Sequence, residues 1–299
     1  MIVLVLVALS SITEAQSLNP ITASAASESA ALGASSISRQ TLSNGGLSSV
    51  QSLTRSMPPS LPHASYTKFP WRQDIVATVF WVGESTSERN HTSNSSSSWD
   101  TDWQSRFGGL DDPEPTRRAP DFRPASFVPK QNPFYIALPY NDVVNNATTK
   151  AEAARVIPWF KQTFKEHGKS VCRDRWVAVR LGDRICYAQW SDCGPFVTDD
   201  ANYVFNGARP VNTNNGGAGV DVSPAVRDYL RFATSAKCDW RFVELYEVPD
   251  GPWKVYGTNN HFVKAQASEH DVVASRLEEL SRQRDLWFRK NGNASLQSH

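Results

Sequence analysis

Two alternating runs, residues 175–181 (RWVAVRL) and 184–190 (RICYAQW), meet at Gly182-Asp183. Successive side chains of a strand fall on opposite faces, and Gly-Asp suits a tight two-residue turn, so the segment predicts a β-hairpin. Facing residues in it have numbers summing to 365, the sum of the turn residues themselves. Residues 74–83 (DIVATVFWVG), 132–140, 219–222 and 239–248 (DWRFVELYEV) also read as strands, being rich in β-branched and aromatic residues. Ser223 is an N-cap and Pro224 a first helical residue for a helix through Tyr229 and Leu230. Residues 150–164 have helical spacing that Pro158 divides, and 276–288 form an amphipathic helix with Leu277, Leu280, Arg284 and Trp287 at helical spacing. Short strands joined without strict β-α alternation predict a small closed barrel with helical insertions and a C-terminal helix, not a doubly wound sheet.

All ten tryptophans lie at Trp71 or later, so the first part of the chain is built differently. Residues 2–9 (IVLVLVAL) are a short apolar run, followed by the small residues Thr13 and Ala15, which is the pattern of an export signal without the usual positive start. Residues 17–66 hold 14 Ser and 7 Ala, too few large apolar groups to offset the entropy of ordering. The expected organisation is an export signal over 1–15 and a Ser/Ala-rich spacer over 16–66. A barrel domain follows over 67–264 with an insertion near 84–130, then a C-terminal amphipathic helix and tail over 265–299. The protein is therefore expected to be secreted or periplasmic. No apolar run reaches the ~18 residues of a spanning helix, so no stable membrane anchor is expected. A formal charge of +1 argues against a nucleic-acid partner. The chain is expected to be a monomer.

Cys172, Cys186, Cys193 and Cys238 make an even count in an exported chain, which predicts two disulfides. The hairpin arithmetic brings Cys172 toward Cys193 and leaves Cys186 for Cys238; the pairing 172–186 with 193–238 is the alternative. No Cys-x-x-Cys pair occurs and the histidines are scattered, so neither a metal nor another cofactor is expected. The patch at 92–98 (TSNSSSS) reads as an exposed loop tip.

The densest chemistry lies in residues 187–196 (YAQWSDCGPF). Asp192 ends a strand between Trp190 and Phe196, where poor solvation favours the protonated form that a general acid needs. Aromatic faces beside a carboxyl group suit the apolar faces of sugar rings, so Trp190, Tyr187, Phe196 and Trp81 are candidate substrate contacts; each ring equally suits a barrel core. Asp192 alternatively caps the Gly194-Pro195 turn through backbone N–H groups. Asp221, in an apolar strand just before the Ser223 cap, is a second candidate catalytic group or a buried structural one.

Residues 192–196 (DCGPF) followed by 219–230 (GVDVSPAVRDYL) resemble the motifs of rare lipoprotein A-like proteins, an Asp-x-Gly-Pro-Phe turn and then an Ile-Asp-Leu-Ser helix entry. Residues 137–139 (ALP) resemble the family's Leu-Pro strand. The resemblance implies a six-stranded double-psi β-barrel, as in expansins and some lytic transglycosylases, that acts on or binds cell-wall glycan. It gives Asp192 the role of the acid in lytic cleavage. The family's Thr-Ala-x-Gly-Glu stretch has no clear copy, so Glu84, Asp111 and Asp112 are candidates for its carboxylate. The alternative function is a non-catalytic, expansin-like polysaccharide-binding module. An aspartic-protease reading finds only one suitable turn, and a Cys193 nucleophile with His167 or His261 is disfavoured by the expected disulfide.

Overall fold

A computed structural model describes residues 68–87, 90, 92–145 and 147–292, without the side chains of 289–292. The expected export signal and spacer lie outside these residues. The strands are β1 (Arg72–Val79), β2 (Tyr135–Leu138), β3 (Val143–Val144), β4 (Thr148–Thr149), β5 (Trp176–Leu181), β6 (Arg184–Cys193), β7 (Ala218–Val222) and β8 (Ser235–Phe242). Six of them close into a barrel in the order β1-β7-β2-β6-β5-β8, while β3 and β4 form a separate ribbon. β1 runs parallel to β7 and β2 parallel to β6, and the remaining barrel neighbours are antiparallel. The barrel is thus closed, as the strand pattern predicts; its sheet is mixed, and its helices include a C-terminal one.

The hairpin has the expected register, from Trp176 opposite Gln189 to Leu181 opposite Arg184. The helices are α1 (Trp103–Phe107), α2 (Ala153–Val156), α3 (Phe160–Thr163), α4 (Ala201–Asn206), α5 (Pro224–Leu230) and α6 (His261–Gly292). Pro158 falls in the break between α2 and α3, as its missing N–H and ring demand. Ser223 caps α5 by accepting the Val226 N–H at 3.3 Å, with Pro224 in the first turn. Two elements differ from expectation. The last strand ends at Phe242, and residues 245–247 turn into a short 3-10 helix. The C-terminal helix starts at His261, well before residue 276, and its Leu277 and Leu280 remain exposed.

β2 is buried on both faces. Ile136 and Leu138 join the main core with Trp176, Trp190, Trp240 and Phe242. Tyr135 and Ala137 face the other way, under Phe80 and Val82, which follow β1, and Trp103 and Phe107 of the insertion. A buried polar network fixes that insertion to the barrel. Arg118, 3% exposed, meets Asp111 at 2.6 Å and Asp228 of α5 at 3.0 Å. The Tyr135 hydroxyl donates to Asp111 at 2.8 Å and accepts the Val82 N–H at 2.9 Å.

The four cysteines are free thiols, which overturns the expected disulfides. β5 lies between β6 and β8, and Cys238 is two residues out of the row that joins Cys186, Val179 and Trp240, so Cys186 and Cys238 are separated by more than two strand spacings, themselves about 9–10 Å. That exceeds the roughly 7 Å across which a disulfide can reach. Cys172 and Cys193 lie near one another, as the hairpin arithmetic foresaw, yet they are not bonded. The Cys193 thiol instead donates to the Tyr140 carbonyl at 3.2 Å. Cys172, Cys186 and Cys238 are buried and behave as small apolar core residues. Labelling of the unfolded, unreduced protein is therefore expected to titrate all four thiols. Labelling of the native protein should leave the three buried ones slow to react. Finding no thiol in the unfolded chain would contradict this packing.

Candidate functional site

One row of paired residues crosses five strands of the barrel: Ser235, Thr78, Asp221, Ala137 and Asp192. Laterally paired residues project to the same side of a sheet, so Asp221 and Asp192 flank the small Ala137 on one face. Two strand spacings put their Cα atoms about 10 Å apart. Ala137 lies beneath the insertion, which identifies this face as the outer one.

Two irregularities set this arrangement. On β6, Trp190 pairs with Ile136 but Asp192 pairs with Ala137, so Ser191 is an extra residue between the two pairs. Simple alternation would put Asp192 on the Trp190 side, in the main core. The bulge re-aims it to the outer face. On β7, Gly219 is the extra residue, between Ala218 opposite Val76 and Val220 opposite Ala77. Only a glycine fits there, because a Cβ would lie 2.6 Å from Pro210 and 2.7 Å from the Tyr203 hydroxyl.

Asp192 is 8% exposed. Its Oδ1 accepts the Ser98 N–H at 2.7 Å and the Cys193 N–H at 2.8 Å. Burial pushes its carboxyl up to about 6 against those hydrogen bonds, which favour the charged form. Asp221 accepts a hydrogen bond from the Thr78 hydroxyl. It too is pushed up to about 6, first by burial and further by the charge of Asp192. Glu84 is raised to about 7 by burial and then by the charge of Asp221. Its Oε2 accepts from the Asn94 side chain at 2.9 Å. Three carboxyl groups are thus electrically linked in the order Glu84, Asp221, Asp192. Such a set retains protons near neutral pH and can both give and take them.

Asp192 and Asp221 are therefore brought together. Among the three candidates for a further carboxylate, Glu84 joins them, whereas Asp111 is tied to Arg118 and Asp112 to Arg117. The aromatic candidates divide. Trp190 is fully buried among Trp99, Phe205 and Phe242, and its indole donates to the Asp192 carbonyl at 2.7 Å. It is a core residue and offers no face to a ligand. Tyr187 packs against Trp253 beside α5, five residues back along β6 from Asp192, and does not share its row. Phe196, half exposed, and the partly exposed Trp81 remain at the site's margin. Burial raises the Cys193 thiol well above its ordinary value, which disfavours the thiolate a nucleophile needs. Sequence reasoning missed Thr78 and Ser98. The patch at 92–98 is a loop with Thr92, Ser95 and Ser96 exposed, as expected, but it is anchored at both ends of its turn: Asn94 is buried and Ser98 reaches Asp192.

Among the described residues no group of His, Cys, Asp or Glu is arranged to hold a metal ion, and no helix is long and apolar enough to cross a membrane.

The raised Asp192 carboxyl has a consequence for stability. Its folded value, about 6, lies above the ordinary 3.8, so its contribution is fully present below pH 4 and is lost as pH rises through 6. That loss is on the order of 3 kcal/mol. Asp192→Asn keeps an oxygen for both N–H donors and removes the titration. Denaturant unfolding at pH 4 and pH 7 is expected to show the variant gaining stability relative to wild type as pH rises. A constant difference would contradict the raised carboxyl.

No family model matches the chain, and no curated protein matches it either.

Proposed function

We infer that the protein is an exported, rare lipoprotein A-like double-psi barrel that cleaves a cell-wall glycan lytically, with Asp192 as general acid. The observation that carries this reading is the position of Asp192: a bulge turns it out of the core, and burial lifts its carboxyl to about 6. A group with that affinity holds a proton at mildly acidic pH and releases it readily, as proton transfer to a leaving oxygen requires. The two parallel strand pairs and the order of the Asp192 turn and the Asp221 strand support the same family resemblance.

The chemistry then runs as follows. Asp192 protonates the glycosidic oxygen as its bond to the anomeric carbon breaks. A hydroxyl of the same sugar closes onto that carbon, and the Asp192 carboxylate takes the hydroxyl's proton, which restores the site. Asp221, where ionised, stabilises the positive charge that develops on the ring. Glu84, Asp221 and Phe196 are partly exposed and mark the side from which a polymer approaches.

The test is incubation of the protein with purified peptidoglycan and with β-linked glucans, followed by mass spectrometry. Anhydro ends are the expected product. New reducing ends would mean hydrolysis, in which two carboxylates share the work. Intact polymer that nonetheless retains the protein would favour the expansin-like binding module.

A further inference from the structure

We propose that the groove lined by Asp100, on the segment whose Ser98 reaches Asp192, binds the acidic groups of a glycan, so that the substrate is an anionic polysaccharide; this rests on the glycan reading above. The groove has a volume of about 770 Å³ and lies between the insertion, the segment before β5 and the start of α6. Four cationic side chains line it, Arg106, Lys130, Arg173 and Lys264, against two acids, Asp100 and Asp174. The surplus is local, because the whole chain carries only +1.

The cations differ in their engagement. Arg173 is held on Asp100 at 2.9 Å and on the Trp99 carbonyl at 2.6 Å, and Arg106 reaches Asp100 at 3.4 Å. Lys130 and Lys264 have no side-chain hydrogen bond or close ion pair among the described residues; the Lys264 charge acts on Asp174 across the groove, and both ammonium groups are exposed to a ligand. An ammonium on a flexible stem acts as a movable point charge, which suits anionic groups at variable spacing along a polymer. The groove also meets the N-terminal end of the 32-residue α6 through Val263 and Lys264. The positive end of the helix dipole adds to the same sign.

The groove is joined to the carboxyl cluster through one short segment. Asp100 lines the groove, and Ser98, two residues earlier, donates to Asp192. Two residues of chain span at most about 7 Å. On this proposal a polymer with its scissile bond at Asp192 extends its neighbouring sugars past Asp100 toward Lys130 and Lys264. Carboxylated and sulfated sugars share the required negative charge.

The test is calorimetric binding by the full chain, with Asp192→Asn as the background to prevent turnover. Three probes are compared: oligogalacturonate, heparin-derived oligosaccharide and neutral cello-oligosaccharide. At least one acidic probe is expected to bind 10-fold or more tightly than the neutral one. Added salt should weaken that binding, because it screens exposed charges. Lys130→Glu with Lys264→Glu should abolish the preference while the unfolding transition stays unchanged, since both side chains lie at the surface. Preference for oligogalacturonate assigns carboxylated sugars, and preference for the heparin fragment assigns sulfated ones. Equal affinity for acidic and neutral probes, or a charge-reversed variant that binds like its parent, would overturn the proposal. Acidic-glycan binding by a protein that leaves every polymer intact would sink the cleavage reading alone and leave the groove standing.

Discussion

Replacing Asp192 with Asn is expected to lower the proposed lytic activity by roughly 10²-fold or more, the usual scale for losing a positioned acid or base. Asn keeps the shape and can still accept the Ser98 and Cys193 N–H groups, so the fold should remain. What is lost is the proton. The wild-type rate should accordingly decline as pH rises above about 6, where Asp192 ionises. Single-turnover assays on peptidoglycan fragments across pH 4–8 check both expectations. Full activity in the variant would move the acid elsewhere, with Glu84 the next group to replace because it holds its proton to about 7.

The largest expected loss of stability comes from Arg118→Met. Arg118 is 3% exposed and neutralises Asp111, which has no exposed side-chain surface. Met fills similar space but leaves the Asp111 charge buried without its counter-ion. Removal of one partner from such a pair costs about 3–5 kcal/mol. The consequence reaches the site, because Arg118 and Asp111 fix the insertion that also carries Ser98 and Glu84. Denaturant unfolding of Arg118→Met, and of the double variant with Asp111→Leu, measures this. The single variant should lose several kcal/mol and the double variant should recover part of it. A single variant within about 1 kcal/mol of wild type would show that the pair contributes little, as exposed ion pairs do.

The barrel was legible where local rules govern. The Gly182-Asp183 turn set the β5–β6 register, Ser223 and Pro224 set the start of α5, and Pro158 separated α2 from α3. Each of these rests on backbone preferences of residues close in sequence. The site was half legible. Asp192 and Asp221 stood out as carboxyl groups in apolar surroundings, but strand alternation alone would point Asp192 into the core. The Ser191 bulge that turns it outward depends on pairing with β2, some 50 residues away in sequence. Trp190 was left open between ligand contact and core for the same reason, since strand alternation does not show which ring the rest of the chain will cover. The disulfides failed because an even count of cysteines says nothing about β5 lying between Cys186 and Cys238. Ser98 was invisible because its contribution is a backbone N–H, which any residue type supplies.

The reading of this barrel as a proton-donating site rests on Asp192 retaining a proton near pH 6 beside a second carboxyl of like affinity. Carbon-13 NMR of protein labelled at aspartate carboxyl carbons measures that directly. The Asp192 and Asp221 resonances are expected to titrate near pH 6, the first disappearing in Asp192→Asn while the Asp221 resonance moves to lower pH as its neighbour's charge is removed. If every aspartate instead titrates below about 4, in the ordinary carboxylate range, Asp192 is ionised throughout the working range and is not the acid.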